Sequence, residues 1–408
     1  MSSQIITYSY SLPHDDRFFE LSKEAGEAYS ISLIEFWKTY KETGKWMSKY
    51  ELQAHMNGKI ERKRLHSDSF IGAMQQVHAN LASWKEAKKV CPDTKPPYKS
   101  KFLQPIRFKK SQIRFEDGFL KLSFGKDING KNDYFLFRLN KELSIPSYCI
   151  ISYDRAKGWK LNTVIEKEIE VISLDLNKTL SIDLGVKRVA TLFDGEQVLT
   201  ISGKKLKGLV HYQNKVRAKL QSDLSKKQKD SNKARKLKSA WRKRNSRLQA
   251  IKQDILHKTS RFIVDYAIKN NIGNIVIGDC SEIHDKTNLG KVNNQQVQQN
   301  PEQRIKSYVK EKFECISGQV NIVSEAYTSQ TCPCCEHKYK PKNREYICSE
   351  CGFIYDRDGV GAINIYNENV SFGIKPERIR LLTRPIGLKF KNSNQLLLMG
   401  NCEKSLVS

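Results

Sequence analysis

A chain of 408 residues, 39% hydrophobic and 10% aromatic, is too long for one ordinary core and rich enough for two or three. Its 71 Lys and Arg against 44 Asp and Glu leave a net charge of +27, far beyond what solubility needs, so a polyanion such as nucleic acid is the expected partner. There is no run of 18 apolar residues, no basic stretch leading into an apolar one at the N-terminus, and six of the ten cysteines are scattered; a soluble cytoplasmic protein with no membrane contact is expected.

The chain opens on "IITYSYSL", whose alternation reads as a strand. A long helical stretch follows from Arg17 to about Lys89, with apolar positions recurring at Leu33, Ile34, Trp37 and Tyr40 and again at Ile71, Met74, Val77, Leu81 and Trp84. The three prolines of "CPDTKPPYKSK" break it, and residues 102–172 are strand-rich. This order predicts a barrel with a helical insertion after its first strand. "KTLSIDLGVKRVATLFDGEQVLTI" then reads as two or three strands turning at Asp194-Gly195. Residues 204–258 hold nineteen Lys and Arg against three acids, with Leu and Ile at helical intervals. A hairpin lying along a phosphate backbone explains that imbalance better than a merely solvated one. "IGNIVIGD" and "GQVNIVSE" read as buried strands flanking an Asn- and Gln-rich mobile loop and a helix from about 303 to 315. Beyond about 371 little pattern remains, and a poorly ordered tail is expected.

Four cysteines have regular spacing. Cys332 and Cys335, then Cys348 and Cys351, form two C-x-x-C knuckles a dozen residues apart with Gly352 after the second, the spacing of a zinc ribbon. Four protein ligands leave no open position, so a single structural Zn²⁺ is expected, with Cys334 a bystander. Lys340, Lys342 and Arg344 give the intervening loop a basic surface.

Three carboxylates stand where apolar segments end. Asp183 closes a hydrophobic strand in "SIDLG", Glu325 ends "NIVSE", and Asp358 precedes Gly359, Gly361 and Ala362 at an apparent helix start. A turn or cap would account for Asp183 or Asp358 singly, and an ion pair near the ribbon for Glu325. Together the three suggest a phosphodiester hydrolase of RNase H type, whose carboxylates hold two Mg²⁺ ions, one activating water and the other steadying the leaving oxygen.

"SIDLG", "TSQTCPCC", "CSECG" and "DRDGVGAINI" resemble the RuvC-type nuclease of the TnpB family, insertion-sequence proteins ancestral to type V CRISPR effectors, over about 170–368. The resemblance implies an α/β protein. An RNase H-like RuvC core with an inserted zinc ribbon is preceded by a β-barrel (wedge) carrying an inserted α-helical recognition domain. Wedge strands would fall at 1–16 and 96–175, the recognition domain at 17–95, the core at 176–330, the ribbon at 331–353, the last RuvC segment at 354–370 and the tail at 371–408. It also implies a guide RNA from the protein's own locus, a target DNA beside a short flanking motif, a prokaryotic cytosolic setting and, as one open assembly, a homodimer. Asp183 matches the first catalytic acid and Asp358 the third.

At the second acid the sequence departs from the family. The usual strand ends in Glu-Asp, whereas "IVIGD" carries Gly278 in the Glu position, and Asp279 falls on the opposite face of a strand. Either cleavage is lost, leaving an RNA-guided DNA-binding protein, or Glu325 on the neighbouring strand replaces the missing ligand. The "GVGAINI" segment resembles the family subgroup with a relocated glutamate. A DDE-type transposase shares three carboxylates on such a core, but the ribbon nested before the last acid argues against it.

Overall fold

The structure, a computed structural model, describes residues 2–98, 101–127, 129–139, 145–279, 290, 294–295, 299–341, 343–391 and 396–398. The chain divides into two compact units, one over Ser3–Glu168 and one from Ile169 onward.

In the first unit β1 (Ser2–Ser11) leads into α1 (Asp16–Thr43), α2 (Lys49–Met56) and α3 (Ser67–Val90). Six strands follow: β2 (Ile106–Lys109), β3 (Ile113–Glu116), β4 (Phe119–Lys126), β5 (Asn132–Arg138), β6 (Tyr148–Asp154) and β7 (Gly158–Ile169). The helical stretch is therefore three helices rather than one. Asp15 starts α1 by accepting from the Arg17 N–H, and Gly44 ends it at φ 69°, a left-handed value that glycine takes without strain. The buried carboxylate of Glu24 on α1 accepts the backbone N–H groups of Lys63, Arg64 and Leu65, tying down the approach to α3.

β1 pairs with β7 in a sheet of order β1-β7-β6-β2, so the helices are inserted between the first strand of a sheet and its remaining strands. β3, β4 and β5 make a second sheet. The expected barrel takes the form of these two sheets around one core, where Phe108, Phe124, Ile151 and Leu161 pack with Phe18, Leu33 and Val77 of the helices.

The second unit runs β8 (Asp175–Asp183), β9 (Arg188–Phe193), β10 (Val198–Ser202), α4 (Lys204–Ser225), α5 (Asn232–Lys269) and β11 (Ile272–Asp279). It continues with α6 (Glu302–Glu314), β12 (Gln319–Ser324), β13 (Glu345–Ile347), β14 (Ile354–Asp356), α7 (Arg357–Glu368), α8 (Pro376–Arg380), β15 (Ile386–Phe390) and β16 (Leu396–Leu398). Seven strands form one mixed sheet of order β12-β11-β8-β9-β10-β15-β16. β11 runs parallel to both β8 and β12, while β8, β9 and β10 form an antiparallel meander.

Alternation along the strands separates two faces. Leu180, Ile182, Ile275 and Ile277 pack under α5 and α6 with Ile263, Val309 and Phe313. Each is inaccessible to solvent, and each such side chain contributes roughly 1.5–3 kcal/mol through burial. The opposite face meets α7, which lies across β8, β9 and β11. Ser181, on that face, donates to the Ala362 carbonyl of α7 at 2.7 Å.

Two expectations are corrected here. β12 is an edge strand rather than a buried one, with Ile322 48% exposed; a short apolar run does not distinguish a central strand from an edge strand covered on one side. The region after 371 also joins the fold: β15 pairs in parallel with β10, Leu199 opposite Ile386, and Leu388 is buried. A five-residue strand is too short to show a period and gains its order from the sheet edge it joins. Most of the loop expected to be mobile, and Cys280, Lys342, Cys402 and residues 399–408, lie outside the described residues. Among the described residues no helix is long and apolar enough to cross a membrane.

Candidate active site and metal centre

Asp183 is the last residue of β8. Ile182 lies opposite Ile277, which puts Asp183 level with Gly278 on β11. Gly278 is in turn level with Val323, so Glu325, two residues further along the path of β12, returns to the face that carries Asp183. The Glu325 N–H donates to the Asp279 carbonyl at 3.3 Å, extending the ladder by one residue. A Cβ on Gly278 would stand 2.6 Å from Glu325 Oε2 and 2.8 Å from the Ile365 side chain. The glutamate of the next strand therefore fills the space above Gly278, with Oε2 closed off from solvent.

Asp279 points the other way. It accepts from Lys306 Nζ of α6 at 2.6 Å, and that lysine side chain is only 2% exposed. This is the opposite-face placement that strand alternation requires.

Asp358 lies in the first turn of α7 without being its cap. The cap is Asp356, whose Oδ1 accepts from the N–H groups of Asp358 and Gly359, both at 3.1 Å. Arg188 grips the Asp356 carboxylate with both terminal nitrogens and comes within 3.4 Å of Asp358 Oδ2. Arg344, from the ribbon, donates to the same Oδ2 at 2.7 Å. α7 approaches β8 closely because of Gly361, where a Cβ would meet Asp183 Oδ2 at 2.7 Å. One turn on, Asn364 donates to the carbonyls of Thr328 (2.6 Å) and Thr331 (2.7 Å), and Thr328 donates through N–H and hydroxyl to the Glu325 carbonyl. The helix that carries Asp358 thus also fixes the turn that carries Glu325.

The electrostatics fit a cation site. Burial first, then the negative charges of Glu325, Asp358 and Glu302, push the Asp183 carboxyl well above the usual carboxylate range. Repulsion of this kind at a buried carboxylate is what a bound cation relieves, yet among the described residues only the four ribbon cysteines bring their ligand atoms within 4.8 Å of one another. Arg188, Asp356 and Glu302 were not singled out from the sequence. Only Asp356 left a signal there, as the first acid of "DRDG", and it could be read only once the helix start was known.

The ribbon brings its four cysteines together. The sulfurs of Cys332, Cys335, Cys348 and Cys351 all lie within 4.8 Å of one another, Cys332 Sγ 3.6 Å from Cys351 Sγ and Cys335 Sγ 3.5 Å from Cys348 Sγ. Such a set can hold a tetrahedral metal ion of zinc type. Cys334 is outside this set, its thiol 3.9 Å from the Pro376 carbonyl. Tyr346, Phe353 and Tyr355 join the cysteines to Val360 and Ile363 of α7 in one small core.

α4 and α5 form the basic hairpin. Gln213 ties them together, donating to Asn245 at 2.6 Å and accepting from Lys252 at 2.7 Å. Leu206 is the sole buried residue of α4, which leaves its lysines and arginines toward solvent.

The comparisons follow this division of the chain. The family model of a probable transposase, OrfB_IS605, matches residues 165–284, and that of the Cas12f1-like TNB domain matches residues 303–365. A TnpB-like protein of Methanocaldococcus jannaschii is 28% identical over 208 residues, covering 49% of this chain and 72% of that one. The putative RNA-guided DNA endonuclease InsQ of Escherichia coli is 28% identical over 224 residues, covering 51% and 53%. The CRISPR-associated endodeoxyribonuclease Cas12f1 of Sulfoacidibacillus thermotolerans is 28% identical over 247 residues, covering 57% and 55%. The aligned regions thus span about half the length of these last two relatives. In fold, the chain matches the protein of a cryo-EM Cas12f1-sgRNA-target DNA complex with TM-score 0.63 at 16% identity, over 86% of this chain and 82% of that one. The chain is similar to TnpB-type proteins, its OrfB_IS605 match leading through β11 and its Cas12f1-like TNB match running from α6 into α7.

Proposed function

We propose that this protein is an RNA-guided DNA endonuclease of TnpB type, with Asp183, Glu325 and Asp358 as its catalytic carboxylates. The observation that carries this reading is the Glu325 carboxylate filling the space above Gly278, on the face shared with Asp183. Ile365 shares that space, and the carboxylate beside it supports the reading that Glu325 supplies the acid missing at position 278. The three carboxylates would hold two Mg²⁺ ions, which when bound activate a water molecule and steady the leaving oxygen of a phosphodiester. Asp356 and Arg188 orient the first turn of α7, and Asn364 orients the turn after β12. The four ribbon cysteines would hold one Zn²⁺ with a structural role. The proposed partners are a guide RNA from the protein's own locus and a target DNA in a prokaryotic cytosol. Base pairing would supply the sequence specificity and the basic hairpin the phosphate contacts.

The test is cleavage of a plasmid library with a randomised flank beside a fixed target, using RNA from the protein's locus reprogrammed to that target, in Mg²⁺. Depletion of one flanking motif is expected, with Glu325→Ala lowering cleavage at least a hundredfold while RNA binding is kept. Full cleavage by Glu325→Ala would remove Glu325 from the site. Specific binding with every plasmid retained would make the protein a nuclease-dead, RNA-guided DNA-binding protein.

A further inference from the structure

Arg344 ties the zinc ribbon to a carboxylate of the nuclease site. Its guanidinium donates to Asp358 Oδ2 at 2.7 Å, and Arg188 stands 3.4 Å from the same oxygen. The two arginines differ in their other partners. Arg188 is committed to Asp356, which caps α7. Arg344, half-exposed, has Asp358 as its ion-pair partner and projects from the start of the β13–β14 hairpin. The hairpin fixes its backbone, since the Arg357 N–H donates to the Arg344 carbonyl at 2.8 Å and Glu345 pairs with Asp356. Beside this pair opens a cavity of about 390 Å³ lined by Lys187, Asn343, Arg344, Arg357 and Asp358. Three cations line it, and its single carboxylate is the one that Arg344 holds.

A carboxylate oxygen bound to a guanidinium is a poorer ligand for a divalent cation, because the two positive charges compete for the same lone pairs. We propose that Arg344 is an electrostatic latch on Asp358: it leaves that carboxylate when a divalent cation binds, and a phosphodiester entering the cavity beside Lys187 and Arg357 draws it away. Metal and nucleic acid then favour each other's binding through one exchanged ion pair, and the coupling is reciprocal. A metal-free or substrate-free protein keeps the site held by its own arginine. The latch rests on Asp358 being a ligand of the nuclease site.

Mn²⁺ binding to the full chain, followed by calorimetry and by the paramagnetic signal without turnover, tests this directly. Zinc content is checked in each variant to establish that the ribbon is intact. Arg344→Gln is expected to tighten Mn²⁺ binding roughly fivefold in the absence of nucleic acid, the size of a half-exposed ion pair. A short oligonucleotide with uncleavable phosphorothioate linkages is expected to tighten Mn²⁺ binding to the unmodified protein and to have no such effect on Arg344→Gln. Equal or weaker Mn²⁺ binding by Arg344→Gln would overturn the latch. Asp183→Asn provides the separate control, since loss of Mn²⁺ binding there keeps the nuclease site whatever Arg344 does. Unchanged Mn²⁺ binding by Asp183→Asn would instead remove the site and the latch together.

Discussion

Gly278 and Glu325 exchange places as donor and space. The usual glutamate at position 278 would project from the face that holds Asp183, and here a backbone with no side chain leaves that volume to a carboxylate from the adjacent strand. The two arrangements are therefore alternatives and cannot coexist. Gly278→Glu alone adds a side chain where a Cβ would already stand 2.6 Å from Glu325 Oε2, and is expected to cost about 1–3 kcal/mol by overpacking, with like-charge repulsion on top. Thermal unfolding measures it. Gly278→Glu combined with Glu325→Gly removes the charge repulsion and the clash with Glu325, leaving Ile365 to shift, and is expected to recover cleavage that Glu325→Gly lacks. A double variant as inactive as the single one would show that position 278 cannot serve the site. Asp279 illustrates the same geometry in reverse, since one residue of displacement sends its carboxylate to Lys306 beneath α6.

At the scale of elements, α7 and the ribbon behave as one piece. Cys332, Cys348, Tyr346 and Phe353 share a core with Val360 and Ile363 of α7, the helix that carries Asp358. A ribbon this small has little else to hold it, because β13 and β14 are three residues each. Removing the metal with a strong chelator, or replacing Cys348 by Ala, is expected to release one zinc equivalent. Amide hydrogen exchange should then rise across 331–368 while β8 and β11 stay protected. Unchanged protection in α7 would separate the ribbon from the site. The edge position of β12 fits the same picture: Glu325 is held less by its strand than by the turn that Asn364 secures.

For the whole molecule, the charge of +27 and the two basic helices are expected to set the strength and salt sensitivity of the proposed nucleic-acid binding. Affinity for a non-specific duplex is expected to fall linearly on a log–log plot with salt, with a slope of about −0.9 for each phosphate neutralised. Replacing Arg242, Lys243, Arg244 and Arg247 of α5 by Gln should lower that slope by about two to four units. An unchanged slope would place the phosphate contacts elsewhere on the chain.

The sequence by itself determined the chemistry types on offer. Zinc-ligand spacing, the one-sided charge of the hairpin and carboxylates at the ends of apolar runs are local signals, written within a few residues of one another or along one element. The first strand followed by a helical insertion was legible for the same reason. Tertiary structure alone decided which acid stands next to which. Strand register set Glu325 over Gly278 and turned Asp279 away, and α7 crosses β8 closely at Gly361, where a Cβ would meet Asp183 Oδ2. It also decided that Asp356 rather than Asp358 caps the helix, that β12 is an edge, and that "IGLKF" is a strand of the main sheet. The strand pairings join residues as many as 187 positions apart along the chain, as between Leu199 and Ile386, and neither composition nor period carries that information.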